Sequence, residues 1–319
     1  MAYKGIRLTK RWMVAAGLMA AFIVQTVPGA TPGAMAQVEL QSQEISTDNG
    51  PVHAYSWSET DIAPHAVVIG LHGSVQHGKN FTAIANQLAK KGIIFYGMDS
   101  RGHGKWLGLG KVDYRKSAAD LVEFAEILKK RHNLPVFCMG ESVGASMAIQ
   151  AASMQPKLFD GLILASAGTR PRFGDWKTTW QTVKRGIKTL GAKIDLSGHI
   201  AKIGDDPRSS EEMLSDPQIR KNASLGDLIH TALYIKESND FAEEVDTRIP
   251  ILMLQGSEDH VINPDSAKSL FAKLRTTDKR YAEFKGYGHL LVTTAYLKPD
   301  VVETVWSWLA QHAKVNASA

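Results

Sequence analysis

Short runs of apolar residues alternate along the chain with longer stretches in which apolar positions recur every three or four residues. Val67 to Leu71 is the first such run, closed by His72-Gly73, and a helical stretch follows from about Phe81 to Lys91. Ile93 to Met98 repeats the pattern and ends in the polar turn Asp99-Ser100-Arg101-Gly102-His103-Gly104. An amphipathic stretch from about Arg115 to Arg131 precedes Val136-Phe137-Cys138-Met139, which passes through Gly140 into a small-residue helix from Val143 to about Met154. Leu162 to Ala165 continues the rhythm. Runs of four to six apolar residues alternating with helical stretches predict a mostly parallel sheet covered on both faces, that is, a doubly wound α/β fold.

The rhythm breaks after Gly168. Residues 170–240 carry helical spacing, Trp176, Trp180 and the acid pairs Asp205-Asp206 and Glu211-Glu212, with no clear buried strand. Alternation resumes at Ile249 to Leu254, with a helix from about Pro264 to Leu274, a short strand near Tyr281 to Phe284 and a closing helix from about Pro299 to His312. The expected organisation is one α/β domain in two parts, 37–169 and 241–319, around a helical cap inserted at 170–240. An ordinary pair of surface helices is the plainer alternative for the interruption.

Composition changes the picture in two places. The 319 residues are 44% hydrophobic and 22% charged, which excludes a collagen, a disordered tail and a polytopic membrane protein. The net charge of +5 invites a nucleic-acid reading, but residues 1–36 hold four of the 37 basic groups and no acid, leaving 33 basic against 32 acidic groups in the remainder. Without clustered basic residues there is no footprint for nucleic acid. The same first segment has a basic start through Arg11, an apolar stretch from Trp12 to about Val27, and small residues up to Ala34-Met35-Ala36. That order predicts a signal peptide cleaved after Ala36 and an exported protein, periplasmic or secreted, with an uncleaved membrane tether as the alternative. The single cysteine, Cys138, allows no intrachain disulfide and no thiolate zinc site, and there is no His-Glu-x-x-His. The Gly102 to Gly110 stretch lacks the Lys-Ser/Thr ending of a phosphate-binding loop.

The chemistry is carried by Gly140-Glu141-Ser142-Val143-Gly144, a G-x-S-x-G pattern set between an apolar strand and a small-residue helix. Ser142 is the candidate nucleophile; a serine that only caps the helix is the bland reading. A serine hydroxyl needs a base and a group to orient that base. Gln255-Gly256-Ser257-Glu258-Asp259-His260 follows one late strand and Gly286-Tyr287-Gly288-His289 the next, so both loops emerge on the side of the sheet where Ser142 sits. Asp259 is expected as the orienting acid and His289 as the general base. Glu258 is the rival acid, Asp265 lies a turn into the next helix, and His260 reads as a loop residue. The oxyanion donors are expected to be the N–H groups of Val143 and Ser74, the latter on the Leu71-His72-Gly73-Ser74-Val75 loop, with His72 bracing that loop. Asp99 is expected to anchor the Arg101-Gly102-His103 turn.

Taken in order, His72-Gly73-Ser74, the turn ending Gly102-His103-Gly104, the Ser142 pentapeptide, Gln255 to Asp259 and Gly288-His289 resemble the motifs of the α/β-hydrolase superfamily. Within it the chain is most similar to the monoacylglycerol lipase and lysophospholipase-like serine hydrolases, over about residues 50–312 and including Ser215-Asp216-Pro217 in the cap. The resemblance implies a carboxylic ester hydrolase with a triad of Ser142, Asp259 and His289, oxyanion donors at Ser74 and Val143, and no cofactor or metal. It implies a monoester substrate such as a monoacylglycerol or lysophospholipid and contact of the cap with a lipid surface. Ala145 stands where many relatives have a second glycine, and the cap is little matched outside Asp216-Pro217. Phe173, Trp176, Trp180, Met213, Leu214, Leu228, Ile229, Leu233 and Tyr234 offer apolar surface for an acyl chain or for packing between cap and core. An amidase or aminopeptidase using the same triad, and a non-catalytic exported binding protein on the same scaffold, are the alternative functions.

Overall fold

The computed structural model describes residues 38–171 and 193–314. The expected leader, and with it Phe173, Trp176 and Trp180 of the expected cap, lie outside the described residues. No helix among the described residues is long and apolar enough to cross a membrane.

Eight strands form one sheet: β1 (Val38–Ile45), β2 (Val52–Glu59), β3 (Ala66–Leu71), β4 (Ile93–Met98), β5 (Val136–Glu141), β6 (Gly161–Ala165), β9 (Ile251–Gly256) and β10 (Lys279–Phe284). Their order across the sheet is β1-β2-β4-β3-β5-β6-β9-β10, antiparallel through β1, β2 and β4 and parallel from β4 onward. The central strands read as unbroken apolar runs because both of their faces are covered. Val67, Ile69, Leu71, Val136, Cys138, Leu162, Leu164, Ile251 and Met253 point to one side, and Val68, Phe95, Phe137, Met139, Ile163, Leu252 and Leu254 to the other. The first side is packed by α2 (Tyr114–His132), α3 (Val143–Met154), α6 (Leu225–Glu244) and α7 (Pro264–Lys273). The second is packed by α1 (Thr82–Ala89) and α8 (Pro299–His312), where Trp308 meets Phe137 edge to face at 5.8 Å. Successive residues alternate between faces, so a single polar substitution in these strands would strand an unpaired group in one layer or the other.

The hairpin β1–β2 has no counterpart in the apolar pattern. β1 is an edge strand with mostly exposed polar side chains, whereas β2 buries His53, Ser56 and Glu59 along with Tyr55 and Trp57. His53 is satisfied by a string of hydrogen bonds. Its Nδ1 lies 2.7 Å from Asp99 Oδ2, and its Nε2 lies 2.8 Å from Oγ of the exposed Ser42. Asp99 also accepts the Gly78 N–H at 2.7 Å and the Lys105 N–H at 2.9 Å. It therefore anchors the polar turn after β4, as the sequence leads one to expect.

Between β6 and β9 lies the insertion. Its described part contains β7 (Ile194–Asp195) paired with β8 (Asn222–Ala223), α4 (Ser197–Ile200) and α5 (Pro207–Ser215). The boundary expected at residue 240 falls inside α6, which the structure assigns to the core layer. Tyr234 Oη donates to Gln150 Oε1 on α3 at 2.5 Å, and Ser238 Oγ bonds Ser146 Oγ at 2.7 Å. Tyr234 is thus core packing, not part of an acyl pocket, while Ile229 and Leu233 on the same helix are exposed. Met213, Leu214 and Leu228 join Leu196, Ile200 and Ile203 in an apolar cluster that also takes in Val75 and Leu290 from core loops. Polar links hold the insertion beside these loops, among them His77 Nε2 to Asp216 Oδ2 at 2.9 Å and the Arg220 N–H to the Val75 carbonyl at 2.8 Å.

Candidate active site

The parallel strands β3, β5, β6, β9 and β10 all end at the same edge of the sheet, and every expected site residue lies on a segment leaving that edge. Ser142 occupies the single residue between β5 and α3, with φ 58° and ψ −123°. A non-glycine residue in that region carries about 1–3 kcal/mol of strain. The turn is held by the Ser142 N–H donating to the Ala165 carbonyl and the Ala145 N–H donating to the Ser142 carbonyl, each at 3.0 Å. The flanking glycines are dictated by space: a Cβ at Gly144 would lie 2.0 Å from the Leu71 carbonyl oxygen, and one at Gly140 would lie 2.4 Å from the Gly144 carbonyl oxygen. Ala145, which follows, is fully buried between these elements.

Asp259 is buried after β9, and its carboxylate has four donors. Oδ1 accepts the N–H groups of Val261 and Ile262 at 2.8 Å each, while Oδ2 accepts Gln255 Nε2 at 3.0 Å and His289 Nδ1 at 2.9 Å. Glu258 and His260 on either side are exposed, so the rival acid points away from this network. Burial acts to raise the Asp259 pKa, but the His289 charge and hydrogen bond and the donors from Ile262 and Gln255 outweigh it and hold it below the usual carboxylate range. For His289, burial acts to lower the pKa, and the charges of Asp259, Glu141 and Asp205 together carry it above the ordinary imidazole value. With its Nδ1–H committed to Asp259, the neutral ring presents Nε2 as the basic nitrogen.

Ser142 and His289 are both tied to the end of β6: the Ser142 N–H donates to the Ala165 carbonyl, and the next residue, Ser166, donates its hydroxyl to the His289 carbonyl at 2.5 Å. No hydrogen bond joins Ser142 Oγ to the imidazole among the described residues. Such contacts are often long outside the reacting complex.

The expected oxyanion donors, Val143 and Ser74, lie on the helix that follows Ser142 and on the loop after β3. The Val143 N–H is the first of α3 and has no intrahelical acceptor. On the Ser74 loop, a Cβ at Gly73 would lie 3.6 Å from Ser142 Cβ. That loop is rigidly held. His72 Nδ1 lies 2.8 Å from the Gly73 carbonyl, its Nε2 accepts the Ser100 N–H at 3.1 Å, and His103 Nε2 lies 2.7 Å from the Ser74 carbonyl. Burial first, and for His72 the neighbouring His103, pushes the pKa of His72 down to about 3 and of His103 to about 4, so both are neutral braces.

Two buried residues missed by motif reading tie these loops together. Gln76 Oε1 accepts the Gly73 N–H at 3.2 Å, and its Nε2 donates to the Thr293 carbonyl at 3.1 Å. Glu141, the variable residue of the pentapeptide, accepts the N–H groups of Leu291, Val292 and Thr293 at 2.7, 2.9 and 3.2 Å and the Thr293 hydroxyl. The signal for Glu141 is visible only in retrospect: a carboxylate at the end of an otherwise apolar buried strand requires partners. No group of three or more His, Cys, Asp or Glu side chains among the described residues is arranged to hold a metal ion. The site brings together what acyl transfer to a serine uses: a serine on a strained turn at the start of a helix and a histidine oriented by a buried carboxylate.

The monoglyceride lipase of Homo sapiens is 23% identical over 304 residues, covering 92% of this chain and 98% of the relative. The monoacylglycerol lipase of Mycolicibacterium smegmatis is 22% identical over 261 residues, covering 79% of this chain and 90% of the relative. The structure of a soluble variant of monoglyceride lipase from Saccharomyces cerevisiae, in complex with a substrate analog, superposes with a TM-score of 0.72 at 16% identity, over 87% of this chain and 97% of that one. Residues 62–294 match the family described as serine aminopeptidase, S33. The chain belongs to that serine aminopeptidase S33 family and has the α/β-hydrolase fold.

Proposed function

We propose that this protein is a serine carboxylic ester hydrolase that cleaves monoacylglycerols or similar monoesters through an acyl-enzyme on Ser142. The observation that carries the reading is the combination of Ser142 on its strained turn with the 2.9 Å bond between His289 Nδ1 and Asp259 on the adjoining loops. His289 Nε2 takes the hydroxyl proton as Ser142 attacks the ester carbonyl, and the N–H groups of Val143 and Ser74 receive the oxyanion. His289 then protonates the leaving alcohol, and after the alcohol departs it activates the water that releases the fatty acid. The apolar cluster of Val75, Leu290, Ile200, Ile203, Met213 and Leu228 supports an acyl chain as the acid portion. Exposed Ile229 and Leu233, one turn apart on α6, support contact with a lipid surface.

The order of basic, apolar and small residues in 1–36 supports export with cleavage after Ala36; sequencing the mature protein's N-terminus tests it, with Gln37 as the expected first residue. The function is tested by initial rates on glycerol monoesters, lysophosphatidylcholine and aminoacyl amides of graded length, with Ser142→Ala as control. Ester turnover abolished by the substitution supports the reading. Turnover of amides alone would replace it with the aminopeptidase activity named in the family description, and ester turnover surviving Ser142→Ala would remove the nucleophile.

A further inference from the structure

His289 is suspended between two carboxylates that come from different parts of the fold. After it, Glu141 on β5 collects three successive backbone N–H groups, Leu291 to Thr293. Before it, Asp205 on the insertion accepts the Gly288 N–H on Oδ2 at 2.9 Å. Glycine at 288 leaves room for the carboxylate where it stands: a Cβ there would lie 1.9 Å from Asp205 Oδ1, and the side chain would have to shift. On its other side the Gly288 carbonyl is pressed against Gly256, where a Cβ would meet it at 2.1 Å. The Asp205 side chain is about one-third exposed, unlike the fully buried Glu141. It is steadied by Lys298 Nζ at 3.4 Å, an ammonium that also sits 3.5 Å above the Tyr287 ring. A cavity of about 220 Å³ lies alongside this contact, lined by Asp205, Tyr287, Leu290, Leu291 and Lys298 among others, and by none of Ser142, Asp259 and His289.

We propose that Asp205 is a positioning residue: through its bond to the Gly288 N–H, the inserted segment sets the placement of His289. Glu141 fixes the far flank to the sheet, so the near flank is where the insertion acts on the base. The cavity beside the contact leaves Asp205 room to withdraw, and withdrawal would release Gly288 while leaving the Asp259 bond in place. The proposal rests on the ester hydrolase reading for its kinetic consequence, but not for its structural one.

The charged and titratable groups facing His289 are Asp259 from the loop after β9, Glu141 from β5, Asp205 from the insertion and His199 from α4. Removing one of the three carboxylates lowers the His289 pKa, so the acid limb of kcat/KM moves to lower pH. The experiment compares Asp205→Ala, which loses bond and charge, with Asp205→Asn, which keeps an acceptor for Gly288 but not the charge. Asp206→Asn is the control: Asp206 caps α5 and pairs with Arg208, and its carboxylate makes no hydrogen bond to the His289 loop among the described residues. On a short soluble ester, Asp205→Ala is expected to lower kcat roughly ten- to hundredfold with little change in KM, as small displacements of a catalytic group do. Asp205→Asn should recover most of that kcat while keeping the displaced acid limb, and Asp206→Asn should leave the limb in place. The His289 Cε1–H resonance, followed by NMR against pH, reads the same titration without substrate and should shift in both Asp205 variants. Unchanged kcat and an unmoved His289 titration in Asp205→Ala would overturn the proposal. A shifted titration in a protein with no Ser142-dependent ester turnover would instead leave the positioning role standing and remove the ester hydrolase reading.

Discussion

Replacing Asp259 by asparagine keeps the size of the side chain but removes its charge and reverses hydrogen-bond polarity at one of its two terminal atoms. The carboxylate accepts four bonds: two backbone N–H groups on Oδ1, and Gln255 Nε2 and His289 Nδ1 on Oδ2. An asparagine has one oxygen to offer. If it stays with Val261 and Ile262, its NH2 faces the Gln255 amide and the histidine; Gln255 must turn away and His289 must accept at Nδ1. The ring then carries its proton on Nε2 and has no lone pair for Ser142. The opposite rotamer directs the NH2 at two backbone donors 2.8 Å away and costs their bonds instead. The first arrangement is the cheaper, and a histidine held in the wrong tautomer by this exchange lowers kcat by about 10⁴-fold, or about 5 kcal/mol of transition-state stabilisation. The assay is steady-state hydrolysis of a soluble ester, with the rate of fluorophosphonate labelling of Ser142 as a measure of nucleophile activation. Glu258→Gln serves as the parallel control, expected within about twofold because surface substitutions change little. A loss of less than tenfold in Asp259→Asn, or a greater loss in Glu258→Gln, would show that the acid has been wrongly assigned.

Three further outcomes follow from the same geometry. Gly144→Ala sets a Cβ 2.0 Å from the Leu71 carbonyl oxygen and should destabilise the fold by about 1–3 kcal/mol while reducing turnover; a melting temperature equal to wild type would contradict the close approach. Because the His289 pKa is raised and the base acts in its neutral form, kcat/KM should be full at high pH and fall as pH drops through a midpoint above about 6.5. A midpoint below about 6 would mean that Asp259, Glu141 and Asp205 do not outweigh burial. If the apolar cluster around Met213 and Leu290 shelters the acyl chain, each added methylene should favour the transition state by up to about 0.8 kcal/mol, and Met213→Ala should flatten that slope; a wild-type rate indifferent to chain length would remove the acyl pocket.

What could be read from the chain, and what could not, divides along a physical line. Strands β3, β4, β5, β6 and β9 were legible because burial on both faces demands unbroken apolar runs. The Ser142 turn was legible because its glycines are enforced by contacts only ångströms away. The hairpin β1–β2 was not: β1 lies at an edge, and β2 buries histidine, serine and glutamate whose partners are supplied by distant segments. Tyr234 was assigned to the cap because helical spacing shows that one face is apolar without showing what that face meets; it meets α3. Glu141, Gln76 and Asp205 escaped for the same reason. Glu141 finds its donors about 150 residues downstream, and nothing in a single sequence marks a polar side chain as the counterpart of a particular stretch of backbone.

The string Ser42–His53–Asp99 gives this molecule a built-in comparison. It contains the same three residue types as the assigned triad, at 2.8 and 2.7 Å, and its serine lies in a regular antiparallel strand opposite Tyr55. Ser42 has no tight turn behind it and no helix beginning at the next residue, whereas Ser142 has both. The ratio of covalent labelling at the two hydroxyls, read by mass spectrometry in one sample, would therefore measure how much of a serine's reactivity comes from the backbone that presents it, over and above the side chains lined up beside it.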